Sequence, residues 1–390
     1  MNGLSAHIAE DVTEILSNLV AFPTISASSN HDINAYIEQY AQPFGARARR
    51  FPNKAGDKAN LLLSIGPDAP GGLVFSGHTD VVPTEGQAWT GDPWRMRKTD
   101  GKLVGRGATD MKGFLACCLA ALPAIASKPL AKPIHLAFSY DEEVGCSGVG
   151  DMAEWIGRSS LAPRLAIIGE ATSMDLVSAH KGGLIGWTTV TGKPGHSSQP
   201  DRYVNAVMIA ADLIAFINTI RADMRNGPTF EGLDPPYSTI QVNQISGGLH
   251  GNIVAEQCRF FWEMRIIPGE SDMAVLNRMQ DFAREKLEPA MKAIDPTTGI
   301  SIDVMARIPG LKPNDDSTLE AELLRLLNRR SSRAVPYGTE AGIFQANGVP
   351  AVVIGPGDIA DAHQPDESIS IDALVDCVGF LTRVAESCQT

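Results

Sequence analysis

Leu103-Val-Gly-Arg-Gly-Ala-Thr-Asp-Met-Lys-Gly-Phe114 turns a β-type stretch into a helical one. Gly105 and Gly107 end the extended run, Asp110 follows, and Met111-Lys-Gly-Phe-Leu-Ala-Cys-Cys-Leu-Ala-Ala-Leu122 opens a helical pattern at once. Asp110 therefore stands on a strand-to-helix turn, where open α/β sheets place their sites. Taken alone, such an Asp more often merely caps the helix. What lifts it above a cap is recurrence, because two His and three Glu stand at or beyond similar strand ends elsewhere.

Working outward, residues 5–22 carry Ile8, Val12, Ile15, Leu16 and Leu19 at helical spacing, with Pro23 as the stop. A second helix is expected over 33–44, strands over 60–65, 73–76, 133–139 and 165–169, and a helix over 111–126. Short, wholly apolar strands alternating with helices imply a sheet covered on both faces. The pattern changes near residue 180. Strands are expected over 183–190, 238–245, 252–267 and 299–306, and helices over 203–224 and 271–294. That order is βαββαβ, the split βαβ or ferredoxin-like unit. α/β character then returns with a helix over 317–330, a strand over 351–354 and a helix over 371–386. The expected organisation is a discontinuous α/β domain, 1–179 and 309–390, with a mixed sheet between helices and an inserted domain at 180–308.

The 390 residues suffice for two domains. A net charge of −12 argues against nucleic acid or an anionic membrane surface as partner. The six cysteines fit neither a disulfide framework nor a Cys-x-x-Cys metal motif. With an N-terminus that lacks the pattern of a secretory leader, they point to a reducing, cytoplasmic setting. The apolar run from Phe114 to Ala126 is too short to span a bilayer and contains Pro123.

The chemistry gathers at strand ends. His78 lies just past the apolar run from Leu73, with Asp80 two residues on. A neutral imidazole is a good Zn²⁺ ligand, and a carboxylate nearby can take its other N–H. The strand over 133–139 runs into Tyr140-Asp-Glu-Glu-Val-Gly145. Three adjacent carboxylates are either solvated or neutralised by cations. Glu170 follows the strand over 165–169, and His363 lies beyond the strand over 351–354. His78, Asp110, Glu143, Glu170 and His363 thus converge on one edge of one expected sheet.

As a set, His78-Thr-Asp-Val-Val-Pro83, the Gly-Arg-Gly-x-x-Asp-Met-Lys-Gly run ending at Gly113, Asp141-Glu-Glu143, Gly169-Glu-Ala-Thr172 and Ala362-His-Gln-Pro-Asp-Glu367 resemble the di-zinc amidohydrolase and peptidase family of acetylornithine deacetylase, succinyl-diaminopimelate desuccinylase, aminoacylases and glutamate carboxypeptidases. The resemblance spans nearly the whole chain in order. It implies a zinc-peptidase-like catalytic domain with an inserted lid and dimerisation domain. It also implies two Zn²⁺ per chain, with Co²⁺ able to substitute. One ion would be held by His78, Asp110 and Glu170 and the other by Asp110, Glu143 and His363, with Asp110 shared and the Asp110–Met111 peptide cis. Asp80 would orient His78, and Glu142 would be the general base.

In that family a His on the inserted domain of the partner subunit stabilises the oxyanion. Gly195-His-Ser-Ser-Gln-Pro200 matches its motif and makes His196 the candidate. Gly247-Gly-Leu-His-Gly-Asn-Ile-Val254 and Glu263-Met-Arg-Ile-Ile-Pro268 resemble lid segments that grip a substrate carboxylate, which selects Asn252 and Arg265. Gly338-Thr-Glu-Ala-Gly342 resembles a substrate-facing turn and adds Thr339. Ala171 and Ala255 depart from the pattern, since relatives often carry Pro there; neither is a ligand. The implied substrate is an N-acyl amino acid and the implied assembly a homodimer. Val177–Gly182, Trp89–Trp94 and Tyr337–Gly342 resemble the acetylornithine deacetylase branch most.

Overall fold

The computed structural model describes residues 3–390, with side chains from residue 5 onward. The chain divides into two compact units: residues 1–179, 311–334 and 339–390 form the first, residues 180–310 and 335–338 the second.

The first unit is built on a mixed sheet ordered Arg47–Pro52, Ala59–Ile65, Ile134–Ser139, Leu73–His78, Leu165–Ile168, Ala351–Val353, Val177–His180 and Arg333–Val335. Its four central strands are parallel: His78 pairs with Ser139, Ser76 with Ile168, and Val353 with Ile168. All four are buried along their whole length with no exposed face, as expected of parallel strands covered on both sides. The helix Lys112–Ala126 packs here with Phe114, Leu115, Cys117, Cys118 and Leu119 fully buried. Contact is close enough that a Cβ on Gly169 would fall 1.9 Å from the Phe114 ring, so the strand end that delivers Glu170 requires glycine. Helices Gly3–Val20 and Ile371–Glu386 belong to the same core, through Leu16, Leu19, Leu374 and Leu381.

Parallel register fixes where chain exits lie. Strands 73–78, 134–139, 165–168 and 351–353 all point the same way, so His78, the turn after Ser139, Glu170 and the loop leading to His363 leave from one edge.

The second unit is a four-stranded antiparallel sheet ordered Thr239–Gly247, Gln257–Ile266, Gly182–Thr191 and Gly299–Ile308. Its central strand 257–266 alternates, with Cys258, Phe260, Trp262, Met264 and Ile266 buried against Leu213, Ile217 and Ile220 of helix Ala206–Arg225 and Leu276 of helix Asp272–Phe282. The opposite face carries Trp187 edge-on to Phe261, with the Arg259 guanidinium 3.9 Å above the Trp187 ring. The chain order of its main elements is βαββαβ.

Several short elements, among them helix Gly150–Arg158 and strand Val177–His180, were not expected, and three further differences have a physical reason. The stretch 252–267 is not one strand; Ile253–Val254 leaves the main sheet and pairs with Gly195–His196. The helix expected over 271–294 is α-helical to Phe282, π-helical over Ala283–Leu287 and α-helical again over Glu288–Ile294. Pro289 explains the register slip, because it has no N–H to give to the carbonyl four residues back. Strand Arg47–Pro52, an edge of the large sheet, was not expected, since Arg-Ala-Arg-Arg-Phe-Pro shows no apolar run. Among the described residues, no helix is long and apolar enough to cross a membrane.

Candidate metal centre

Two groups of side chains meet at the common strand edge, and both use Asp110. His78, Asp110 and Glu170 bring ligand-type atoms within 4.8 Å of one another, and so do Asp110, Glu143 and His363. His78 Nε2 lies 3.0 Å from Asp110 Oδ1 and 3.9 Å from Glu170 Oε1. His363 Nε2 lies 3.2 Å from Asp110 Oδ2 and 2.9 Å from Glu143 Oε2. The two oxygens of one carboxylate thus serve two different imidazoles. Asp110 is presented by the turn before helix 112–126, and the Asp110–Met111 peptide is cis.

These residues fit divalent cations. His78 Nδ1 donates to the Asp80 carbonyl at 2.8 Å, which turns Nε2 toward the carboxylates as the coordinating nitrogen. Glu143 Oε1 is buried without a hydrogen-bond partner. Imidazole and carboxylate together are the donor set that zinc takes. The charge balance points the same way. Burial pushes the Glu142 carboxyl up to about 8, with His78 opposing and Glu143 and Asp110 adding to the rise. Burial likewise holds Glu170 well above its ordinary value, with Asp110 and Glu142 adding to it. Asp110 is the exception: burial opposes its ionisation, but the imidazoles of His363 and His78 hold it well below the usual range. Cations placed among these groups would favour every ionised carboxylate at once.

Glu142 and Glu143 separate in direction on a turn. Gly145 N and Cys146 N both donate to the Glu142 carbonyl, so the two Glu open a turn. Glu143 reaches His363, while Glu142 Oε2 stands 3.9 Å from His78 Nε2 and its Oε1 accepts the Cys146 thiol at 3.2 Å.

Asp80 meets His78 through its main-chain carbonyl, which takes the Nδ1 proton, while its carboxylate Oδ1 is 3.6 Å from His78 Nδ1. That carboxylate accepts the Ser26 hydroxyl at 2.7 Å, Glu142 N at 3.2 Å and Glu143 N at 3.3 Å. The chain turns so soon after His78 that the carbonyl reaches the ring first, leaving the side chain to fasten the Asp-Glu-Glu turn. Asp80 is a positioning residue on both counts.

Thr339 is 1% exposed, and its Oγ1 accepts Ala341 N at 3.1 Å where helix Ala341–Ala346 begins. Its neighbour Glu340 is equally buried, and burial raises its carboxyl to about 7, with the Ser139 and Ser76 hydroxyls opposing.

His196, Asn252 and Arg265 belong to the second unit. His196 is exposed and pairs in register with Ile253, while Ser197 N donates to the Asn252 carbonyl at 3.1 Å, so His196 and Asn252 lie side by side. Ser198 N donates to His196 Nδ1 at 3.2 Å, which places the neutral ring's proton on Nε2. Arg265 is paired with Glu263 at 2.5 Å on the same strand.

Sequence reading missed the groups that hold the ligands. Cys146, Ser26, Gln87, Arg106 and Glu367 all touch the site or its loops. Arg106 and Glu367 stand inside stretches singled out for their neighbours, so spacing from Asp110 and His363 was the signal available.

The model of peptidase family M20/M25/M40 matches residues 74–387, and the chain belongs to that family. Solved structures with the same fold include a metallo-carboxypeptidase of family M20 from Sulfolobus solfataricus, 18% identical, with a TM-score of 0.75 over 96% of this chain and 98% of that one. Aminopeptidase PepT from Bacillus cereus is 19% identical, with a TM-score of 0.72 over 97% and 98%. A dinuclear metal binding peptidase of family M20 from Bacillus subtilis is 13% identical, with a TM-score of 0.64 over 97% and 98%. The protein is thus a metal-dependent hydrolase of the peptidase and amidohydrolase type, with two candidate ligand groups that share Asp110.

Proposed function

We propose that the protein removes the acetyl group from N²-acetyl-L-ornithine, giving L-ornithine and acetate as a step of arginine biosynthesis. The observation that carries an amide hydrolase is the shared carboxylate of Asp110, with Glu142 beside both ligand groups yet in neither. The acetylornithine reading leans on the likeness of Val177–Gly182, Trp89–Trp94 and Tyr337–Gly342 to that branch.

Zn²⁺ is the proposed native ion, two per chain, with Co²⁺ able to replace it. When bound, the pair supplies Lewis acidity, polarising the amide carbonyl and making water acidic enough to attack. The chain's own residues do the rest. Glu142 takes the proton of the attacking water on its carboxylate and hands it to the leaving amine. Cys146 holds Oε1 of that carboxylate, which leaves Oε2 on the His78 side free to move the proton. Asp80 keeps Glu142 and Glu143 in place through their amides. His196, donating from Nε2, stabilises charge developing on the carbonyl oxygen of a substrate in the partner subunit of a homodimer. Asn252 and Arg265 grip the substrate carboxylate. The inserted unit, residues 180–308 in this reading, acts as lid and dimerisation domain, and the protein works in the cytoplasm.

Proteins with this fold suggest a second reading. They include a human carnosine dipeptidase and a di-peptidase from Saccharomyces cerevisiae. A dipeptidase, a succinyl-diaminopimelate desuccinylase or a broad N-acyl-amino-acid hydrolase would use the same centre. A panel of N-acyl amino acids and dipeptides, assayed with metal analysis, separates them. N²-acetyl-ornithine with the highest kcat/KM supports the proposal, while a preference for N-succinyl-diaminopimelate or a dipeptide overturns it. No turnover of any member would point to a metal-binding relative without catalysis.

A further inference from the structure

Glu367 lies four residues past His363, is 1% exposed, and uses both carboxylate oxygens on the chain around Asp110. Oε1 accepts Thr109 N at 2.8 Å and Asp110 N at 3.0 Å. Oε2 accepts Gly107 N at 3.1 Å and the Arg106 guanidinium at 2.7 Å. Gly105 N donates in turn to the Glu367 carbonyl at 3.0 Å. The turn that presents Asp110 is therefore folded around a carboxylate from the loop that presents His363.

Arg106 carries the link further. It is fully buried, stacks 5.0 Å from the Trp89 ring, and gives a second N–H to Gln87 Oε1. The same Gln87 oxygen accepts Trp89 Nε1 at 3.0 Å, and Gln87 Nε2 donates to the main-chain carbonyl of His363 at 2.9 Å. Arg97 and Thr90 hold Asp366 from the same side, at 2.6 and 3.1 Å. His363 sits in the left-handed region at φ 61°, and its side chain is half exposed, so its own packing does little to aim the ring. Its direction is left to the loop, and the loop is tied at Gln87, Asp366 and Glu367.

We propose that Gln87 and Glu367 are positioning residues, joined through Arg106, that set the spacing between the Asp110 and His363 loops and so the affinity for the cation held by Asp110, Glu143 and His363. The inference rests on the two-ion reading above. Its distinguishing content is selectivity. Gln87 holds the His363 main chain directly and reaches the Asp110 turn only through the Arg106 side chain, so its loss should weaken the ion site that uses His363 and largely spare the other, held by His78, Asp110 and Glu170. Glu367 holds the shared Asp110 as well, so its loss should weaken both. Groups that orient metal ligands typically change affinity by about 10–100-fold when altered.

The test is calorimetric titration of ion-free protein with Zn²⁺, for wild type, Gln87→Met and Glu367→Gln, with Co²⁺ absorption spectra as a second record of each site. Gln87→Met keeps length and removes the three side-chain hydrogen bonds, to the His363 carbonyl, Trp89 and Arg106. It should lower one of two affinities by roughly 10-fold or more and leave the other within about twofold. A purely structural role would lower both together or neither, so the ratio of affinities is the deciding readout. Glu367→Gln strips acceptors from a buried turn and can unfold the chain; Gln87→Met, on a half-buried loop, decides the matter regardless. Two ions bound by wild type with unchanged affinities in Gln87→Met overturn the proposal alone. Fewer than two ions in wild type overturn the two-ion reading, and the proposal with it.

Discussion

The two units handle polar groups in opposite ways. In the first, most acids and imidazoles lie at the ends of strands that have no exposed face, and several end fully buried. In the second, the strands alternate, the edge strands 239–247 and 299–308 are largely open, and His196 stands in solvent. Burial makes the first set costly in isolation, since close like charges cannot all ionise in a low dielectric. Its chemistry should therefore depend on cations, whereas the second unit's contribution should depend on what its open edges and exposed loop meet. Val304, Met305, Ile245 and Leu249 are exposed apolar residues on or next to those edges. Unpaired edges of this kind invite pairing with another chain.

The largest expected effect follows from the buried set. Chelation should abolish activity and Zn²⁺ should restore it, with elemental analysis giving two ions per chain in the active protein. Fully active protein with one ion would remove the reason for Asp110 to face both imidazoles.

Next comes the base. Glu142→Gln keeps the shape and the Cys146 contact but cannot take a proton. Turnover should fall by roughly 10²–10⁴-fold with metal content unchanged. Loss of one ion with turnover largely kept would mean that Glu142 and Glu143 have exchanged roles.

The exposed set supplies the third test. His196→Ala should cost about 10²–10³-fold in kcat, the usual size for one oxyanion donor. Mixed with Glu142→Ala, it should recover activity. One site of a mixed dimer then combines an intact Glu142 with an intact His196 of the other chain, giving up to roughly half of wild-type activity per mixed dimer. Mixed dimers that form but stay inactive would confine His196 to its own chain and dissolve the contrast between the units.

Legibility in the sequence followed the same division. His78, Glu143, Glu170 and His363 could be read because each lies beyond a short apolar strand, and parallel register brings those strand ends to one edge; Asp110 comes to them from the turn after strand Lys102–Val104, which pairs in a separate antiparallel sheet. What could not be read were contacts set by tertiary packing. The choice of Asp80 between its carbonyl and its carboxylate depends on a turn angle, and the burial of Thr339 depends on the packing around helix 341–346. Residues 255–256, between the short strand Ile253–Val254 and the long strand Gln257–Ile266, look no different in sequence from the middle of one continuous strand.

The smallest effect concerns stability and lies away from the metal centre. His135 is 1% exposed in strand 134–139, with Nδ1 2.8 Å from the Ser64 hydroxyl and Nε2 buried without a partner. Burial, helped by the nearby Arg47 charge, lowers its pKa to about 4 from the model-peptide value of 6.5. The folded protein thus keeps this ring neutral while the unfolded chain protonates it, and the unfolded state binds the extra proton between about pH 4 and pH 6.5. Stability from this group is complete above pH 6.5 and falls as pH drops toward 4, by on the order of 3 kcal/mol over the whole window at about 1.4 kcal/mol per unit. His180 is buried and lowered to about 4 as well, so wild type alone cannot isolate His135. His135→Gln can, because glutamine does not titrate. Urea unfolding of ion-free protein at pH 7 and at pH 4.5 should show the variant losing less stability than wild type on acidification, even if it starts lower at pH 7 through altered packing. Equal losses in the two proteins would mean that His135 titrates alike in the folded and unfolded chains, and that the sheet between Ala59–Ile65 and Leu73–His78 admits water where it looks closed.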